Sequence, residues 1–216
     1  SDATLNQAGR GSISRARRKT RSRRALTGST MHKLPILLAI LISVSVFFGM
    51  GAGLIFDKDF YMQEHKRNGV DVEDPENLTS DLIGYLQSGE RLDHFNDKEK
   101  RHLEDVKGLV DKGFALYYGL MIVMLGLCFY LYSKKRLLLS VEKASLYSGA
   151  IVLGSIFLAI LLSPWFDELF VLFHKIFFDN DLWLLDPSTD VLIRLLPQQF
   201  FVDFMALVLV RSALAG

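Results

Sequence analysis

A single cysteine among 216 residues leaves no internal disulfide and no multi-cysteine zinc module for this chain to use. Net charge is equally scarce. Twenty-five Lys and Arg against 24 Asp and Glu leave +1, so the chain as a whole is neither a polyanion nor a polycation. Also missing is an even spread of those charges. They fall in blocks separated by long apolar runs, and half of all residues are hydrophobic. That pattern excludes a single water-soluble core, and it excludes a disordered chain.

A membrane-crossing helix needs about 20 mostly apolar residues, because the hydrocarbon core is roughly 30 Å thick and a helix rises about 1.5 Å per residue. Four stretches meet that length: 34–56, 114–132, 146–163 and 199–215. The first three carry no charge, and Asp203 is the only acid in the fourth. The expected fold class is therefore an all-α integral membrane protein. It has four transmembrane helices and two extracytoplasmic loop regions, 57–113 and 164–198, containing short and interfacial helices. Residues 1–30 form a basic tail, expected to be disordered, ahead of a membrane domain over 31–216.

Loop charges orient the chain. Residues 1–33 hold nine Lys and Arg and one acid, whereas 57–112 hold nine against fifteen acids. The loop 133–145 holds four basic residues and one acid, and 164–198 holds two and six. This alternation fits the positive-inside rule with both termini cytoplasmic and the larger loops outside. The basic run Arg10–Arg24 has no interleaved aromatics and precedes a span. Topology and attraction to anionic lipid account for it without a nucleic-acid partner.

Within the first outer loop, Leu78, Leu82, Ile83 and Leu86 recur at helical spacing and Gly89 closes the pattern. Asn96 and Glu99 make a capping box that opens a second helix. This helix carries His102 and Asp105 on one face, and Gly108 and Gly113 are places where it can bend. In the second outer loop Phe166, Leu169, Phe170, Phe173 and Phe177 form an apolar stripe that suits the membrane interface, as does Trp183. His174 flanks that stripe. Asp186-Pro187 is expected to cap a short helix that ends at Pro197.

Of the five histidines, His32, His65 and His94 read as solvated side chains. His102 and His174 each have an acid nearby and sit close to the outer interface. Two imidazoles can serve as base and acid in one acyl transfer, and a carboxylate such as Asp105 would orient His102. Neither Cys128, deep in a span, nor Ser163 nor Ser188 has the setting of a covalent nucleophile. Direct attack by a substrate group or by water is the expected route. Glu99, His102, Asp105 and His174 also offer a metal-ligand spacing, although the cap explains Glu99 better. A metal-dependent membrane hydrolase and a non-enzymatic membrane assembly factor are therefore the alternative readings.

Glu99-Lys100-Arg101-His102-Leu103-Glu104-Asp105-Val106 is followed by Phe173-His174-Lys175-Ile176-Phe177-Phe178, then Trp183, Asp186-Pro187, Leu192-Ile193, Pro197 and Phe200-Phe201. Together they resemble the lipoprotein intramolecular transacylase family, from about Met31 to the end of the chain. The resemblance implies an enzyme of the bacterial plasma membrane, and the chain is expected to be a monomer. Its substrate would be a diacylated lipoprotein met among membrane lipid at the outer face. The sn-2 acyl chain of the diacylglyceryl-cysteine would move to the α-amino group of that cysteine, giving a lyso-form lipoprotein without cofactor or metal. His102 and His174 would be the essential histidines and Asp105 the orienting acid. Phe170, Phe173, Phe177 and Trp183 are expected to hold lipid.

Overall fold

The structure is a computed structural model that describes residues 33–215, and among these residues every regular element is helical. The basic tail and His32 lie outside the described residues. The elements are α1 (Lys33–Ile55), α2 (Lys58–Asn68), α3 (Pro75–Ser88), α4 (Asp97–Ser133), α5 (Leu137–Leu162), α6 (Phe166–Phe177), α7 (Val191–Leu195) and α8 (Gln198–Ala215). Helix α6 follows α5 after only the 3-10 turn Ser163–Trp165, which contains Pro164. Four helices are long and apolar enough to cross a membrane: α1, α4, α5 with its continuation, and α8. The protein is an all-α integral membrane protein.

Local chemistry sets the helix ends. Asp57 accepts from the Phe60 amide at 3.1 Å to start α2, and Gly69, at φ 62°, ends it. Asp74 and Pro75 start α3, and Gly89, at φ 76°, ends it as its spacing predicts. The Asn96–Glu99 capping box opens α4, with both reciprocal bonds present. From there α4 runs 37 residues without interruption. His102 therefore stands about 18 Å along the helix axis from Phe114. Gly113 is a point of close approach, since a Cβ there would lie 3.3 Å from the Phe48 ring of α1.

Two apolar clusters hold the helices. The larger joins α2, α3, α7 and the start of α4 and α8 through Phe60, Leu82, Phe95, Leu103, Leu195 and Phe200. The smaller joins α1, α4 and α5 through Leu38, Ala39, Leu131 and Ala144. Close to it, Ser43 and Ser148 share a buried hydrogen bond of 2.9 Å across α1 and α5.

One helix has no counterpart in the sequence pattern, and two sequence expectations change. Helix α2 is too polar to show an apolar stripe, yet it forms and places Phe60 and Tyr61 in the core. His65 on α2 is buried against Tyr61 rather than solvated, whereas His94 is exposed and paired with Asp81 at 2.6 Å. Asp186-Pro187 makes a turn instead of a helix start. The Asp186 carboxylate is occupied by the Ser188 amide and hydroxyl at 2.8 and 2.7 Å, which favours a local turn over a cap. Helix α7 begins five residues later, after Asp190.

Candidate functional site

His102 lies in the charged opening of α4, ahead of its apolar run, six residues past the Asn96 cap. The cap fixes the helix phase, and that phase turns the ring into the protein, where the residue is 6% exposed. The ring meets Phe178 edge-on at 5.2 Å, and Nδ1 is buried without a hydrogen-bond partner. Burial and the neighbouring His174 push its pKa down to about 4, against a smaller upward pull from Asp105. At neutral pH the ring is uncharged.

His174 occupies the last turn of α6 and is 8% exposed. Its Nδ1 lies 2.7 Å from the backbone carbonyl oxygen of Phe170, one turn back. A carbonyl can only accept, so Nδ1 carries the hydrogen and the neutral ring keeps its lone pair on Nε2. Aromatic rings surround it: Phe170 at 4.4 Å, Trp183 at 4.9 Å, Phe173 at 5.4 Å and Phe178 at 5.6 Å between centroids. The His102 and His174 rings are 6.1 Å apart, close enough for both to reach one substrate carbonyl over hydrogen bonds of about 3 Å each.

The structure brings together most, but not all, of the residues expected here. Asp105 shares a helix face with His102, yet its Oδ2 accepts from Asn180 Nδ2 at 2.8 Å, leaving His102 Nδ1 unpartnered. The expected orienting bond is therefore replaced by one that ties α4 to the segment after α6. Phe170 and Trp183 pack closest on His174, Phe173 meets it edge-on while remaining partly exposed, and Phe177 is exposed and packs on Phe173 at 4.8 Å. Phe178, which touches both imidazoles, carries no periodic signal because it lies just past the helix end. Beside this wall is a polar cavity of about 190 Å³ lined by Lys175, Phe178, Asp179, Asn180, Asp181 and Trp183.

Among the described residues no three His, Cys, Asp or Glu side chains converge as a metal-ligand set. Both Glu99 oxygens accept backbone hydrogen bonds, from Asn96 at 2.8 Å and Leu192 at 2.6 Å. A second polar cluster joins α2 to α8. Asp203 accepts from Gln199 at 3.1 Å and lies 3.8 Å from Arg67. Burial and Asp203 hold the neighbouring Glu64 above the usual carboxylate range. These contacts are with α2 and α8, and neither His102 nor His174 is among them.

The profile of the lipoprotein intramolecular transacylase Lit family matches residues 31–201. An uncharacterised protein of Aquifex aeolicus (strain VF5) is 28% identical over 207 residues, covering 86% of this chain and 91% of its own. The fold is similar to the solved membrane-integral lipoprotein intramolecular transacylase of Bacillus cereus. That structure is 24% identical, covers 86% of this chain and 90% of its own, and has a TM-score of 0.70. A second structure of that protein, in which a histidine is replaced by arginine, gives 0.72 at 23% identity, covering 89% and 90% of the two chains. The four apolar helices and the match across residues 31–201 agree, and the chain belongs to the lipoprotein intramolecular transacylase family.

Proposed function

We propose that this enzyme moves the sn-2 acyl chain of a diacylglyceryl-cysteine lipoprotein onto the α-amino group of the same cysteine, using His102 and His174. The observation that carries this reading is the buried pair of imidazoles 6.1 Å apart, one with its free lone pair fixed by a backbone carbonyl. His174 Nε2 takes the proton from the attacking amine as nitrogen bonds to the ester carbonyl carbon. It then returns that proton to the glycerol oxygen as the carbon–oxygen bond breaks, so no net proton is consumed. His102, kept neutral by its surroundings, offers a ring N–H to the oxyanion that forms between the two steps. Amine and ester belong to one molecule. Holding them near attack geometry therefore supplies much of the rate, and neither a cofactor nor an acyl-enzyme is required.

Exposed Phe173 and Phe177 offer an apolar surface for acyl chains, with Phe170 and Trp183 closing the wall against His174. The charge alternation supports a site on the outer face of the bacterial plasma membrane, with both termini cytoplasmic. The test is His102→Ala and His174→Ala, each in full-length protein in lipid, with the reporter lipoprotein's N-terminal peptide read by mass spectrometry. His174→Ala is expected to lose at least about 100-fold in rate, the low end for a lost general base. Full conversion to the lyso-form by either variant would sink that histidine's role.

A further inference from the structure

We propose that Glu99 and Asp190 form a reciprocal clasp that positions the Trp183 wall against His174, which makes Glu99 a positioning residue for the transacylation. The proposal rests on the reading of His102 and His174 as the reacting pair.

A helix cap needs one acceptor and works at the surface. Glu99 does more, because its side chain is almost sealed, at 1% exposure, and both oxygens are used. Oε2 accepts from the Asn96 amide at 2.8 Å and closes the cap of α4. Oε1 accepts from the Leu192 amide at 2.6 Å, reaching α7 across 93 positions of sequence. Asp190, also buried, returns the contact from the other side. Its Oδ1 accepts from Asn96 Nδ2 at 2.9 Å, and its Oδ2 accepts from the Asp186 amide at 2.7 Å and lies 3.6 Å from Lys98 Nζ. Lys98 also donates to the Leu184 carbonyl. An acid from each side thus holds the opposite element's start.

The segment 178–190 leads from the end of α6 to these anchors and has turns but no helix. It carries Phe178 and Trp183, both packed on His174, and Asn180, bound to Asp105. Glu99 stands three residues before His102, on the same side of α4. One helix face therefore presents both the reacting ring and the anchor for the wall opposite it. A glutamine at 99 keeps one acceptor but turns an NH2 group toward the second backbone N–H, donor against donor. The wall would then shift while the hydrophobic core stays intact.

The experiment measures kcat and KM of full-length protein in lipid on a synthetic diacylglyceryl-cysteine lipopeptide, per monodisperse folded enzyme. The variants are Glu99→Gln, Asp190→Asn, Trp183→Ala and the double variant Glu99→Gln/Trp183→Ala. The expected result for Glu99→Gln is a fall in kcat of about 10- to 100-fold with KM within about threefold of wild type. Because both changes remove the same wall, the double variant should lose no more than about threefold beyond the worse single. Wild-type turnover by Glu99→Gln overturns the proposal, and so does a double variant whose loss is the product of the two singles. If Glu99→Gln does not fold, Asp190→Asn replaces it, alone and with Trp183→Ala, under the same two criteria. His102→Ala and His174→Ala run alongside. If they are inactive while the clasp variants work at wild-type rate, only the clasp falls. If they are active, the paired mechanism falls whatever the clasp variants do.

Discussion

Leu82 and Leu195 in the loop region are sealed by surrounding protein, whereas Leu125 and Phe157, on the spanning helices α4 and α5, stand 64% and 70% exposed. The residue types are comparable, but the solvents differ. Around α2, α3 and α7 the apolar side chains escape water by packing on each other. Along the spans lipid does that work, and helix contacts need only small residues and occasional hydrogen bonds. The imidazole pair belongs with the first region. The spacing of its two rings depends on side chains packed from several elements, which a loose bundle of lipid-facing helices would not supply.

The largest effect that could break this contrast is a cavity in the loop core. Leu82→Ala should cost about 2–5 kcal/mol of stability in bicelles. Leu125→Ala should stay within about 0.5 kcal/mol. Equal losses by calorimetry would mean that the two regions do not differ as described.

Acid provides a second, intermediate test. The folded-state pKa of His102 lies below its unfolded value, so the folded ring resists the proton that the unfolded chain takes up. Stability from this group is present above about pH 6.5, the unfolded value, and is lost as pH falls toward about 4. His102→Gln lacks that proton-linked contribution. The Tm of wild type should therefore drop more than that of the variant between pH 7 and pH 4.5. Parallel curves would show that the ring titrates as though exposed.

The smallest expected effect lies within the spans. A double-mutant cycle on Ser43→Ala and Ser148→Ala should return a coupling of about 0.6 kcal/mol, typical of hydrogen bonds between membrane helices. A coupling several times larger would make the bundle depend on that bond as strongly as the loop region depends on its core.

Much of this architecture was legible from local pattern. The apolar runs announced four spanning helices, and the spacing of Leu78, Leu82 and Leu86 announced α3. The Asn96–Glu99 cap fixed where α4 starts and so which way His102 faces. What stayed hidden was contact between distant segments. Asp105 sits where an i,i+3 pairing with His102 is natural, but a side chain 75 positions away takes its carboxylate. The second bond of Glu99 and the burial of His65 have the same origin. Nothing in the neighbouring residues encodes which remote group arrives. Asp186-Pro187 misled for a local reason, since the same residues that favour a helix start also favour a turn, and here the Ser188 donors decided between them.

The unbroken run of α4 has a consequence for where the chemistry happens. At about 1.5 Å per residue its 37 residues make a rod of roughly 55 Å, against a hydrocarbon layer of roughly 30 Å. His102 rides near one end of that rod, and the apolar part toward the other end, 114–132, is the span, closed by Ser133 and the basic residues Lys134, Lys135 and Arg136. The height of His102 above the bilayer midplane is therefore a fixed number of helical turns. A thicker bilayer brings the ester-bearing headgroups up toward the ring, and a thinner one leaves the ring standing clear of them. With the proposed site at that height, activity is expected to vary with bilayer thickness, and equal rates in thin and thick bilayers would separate the chemistry from this length.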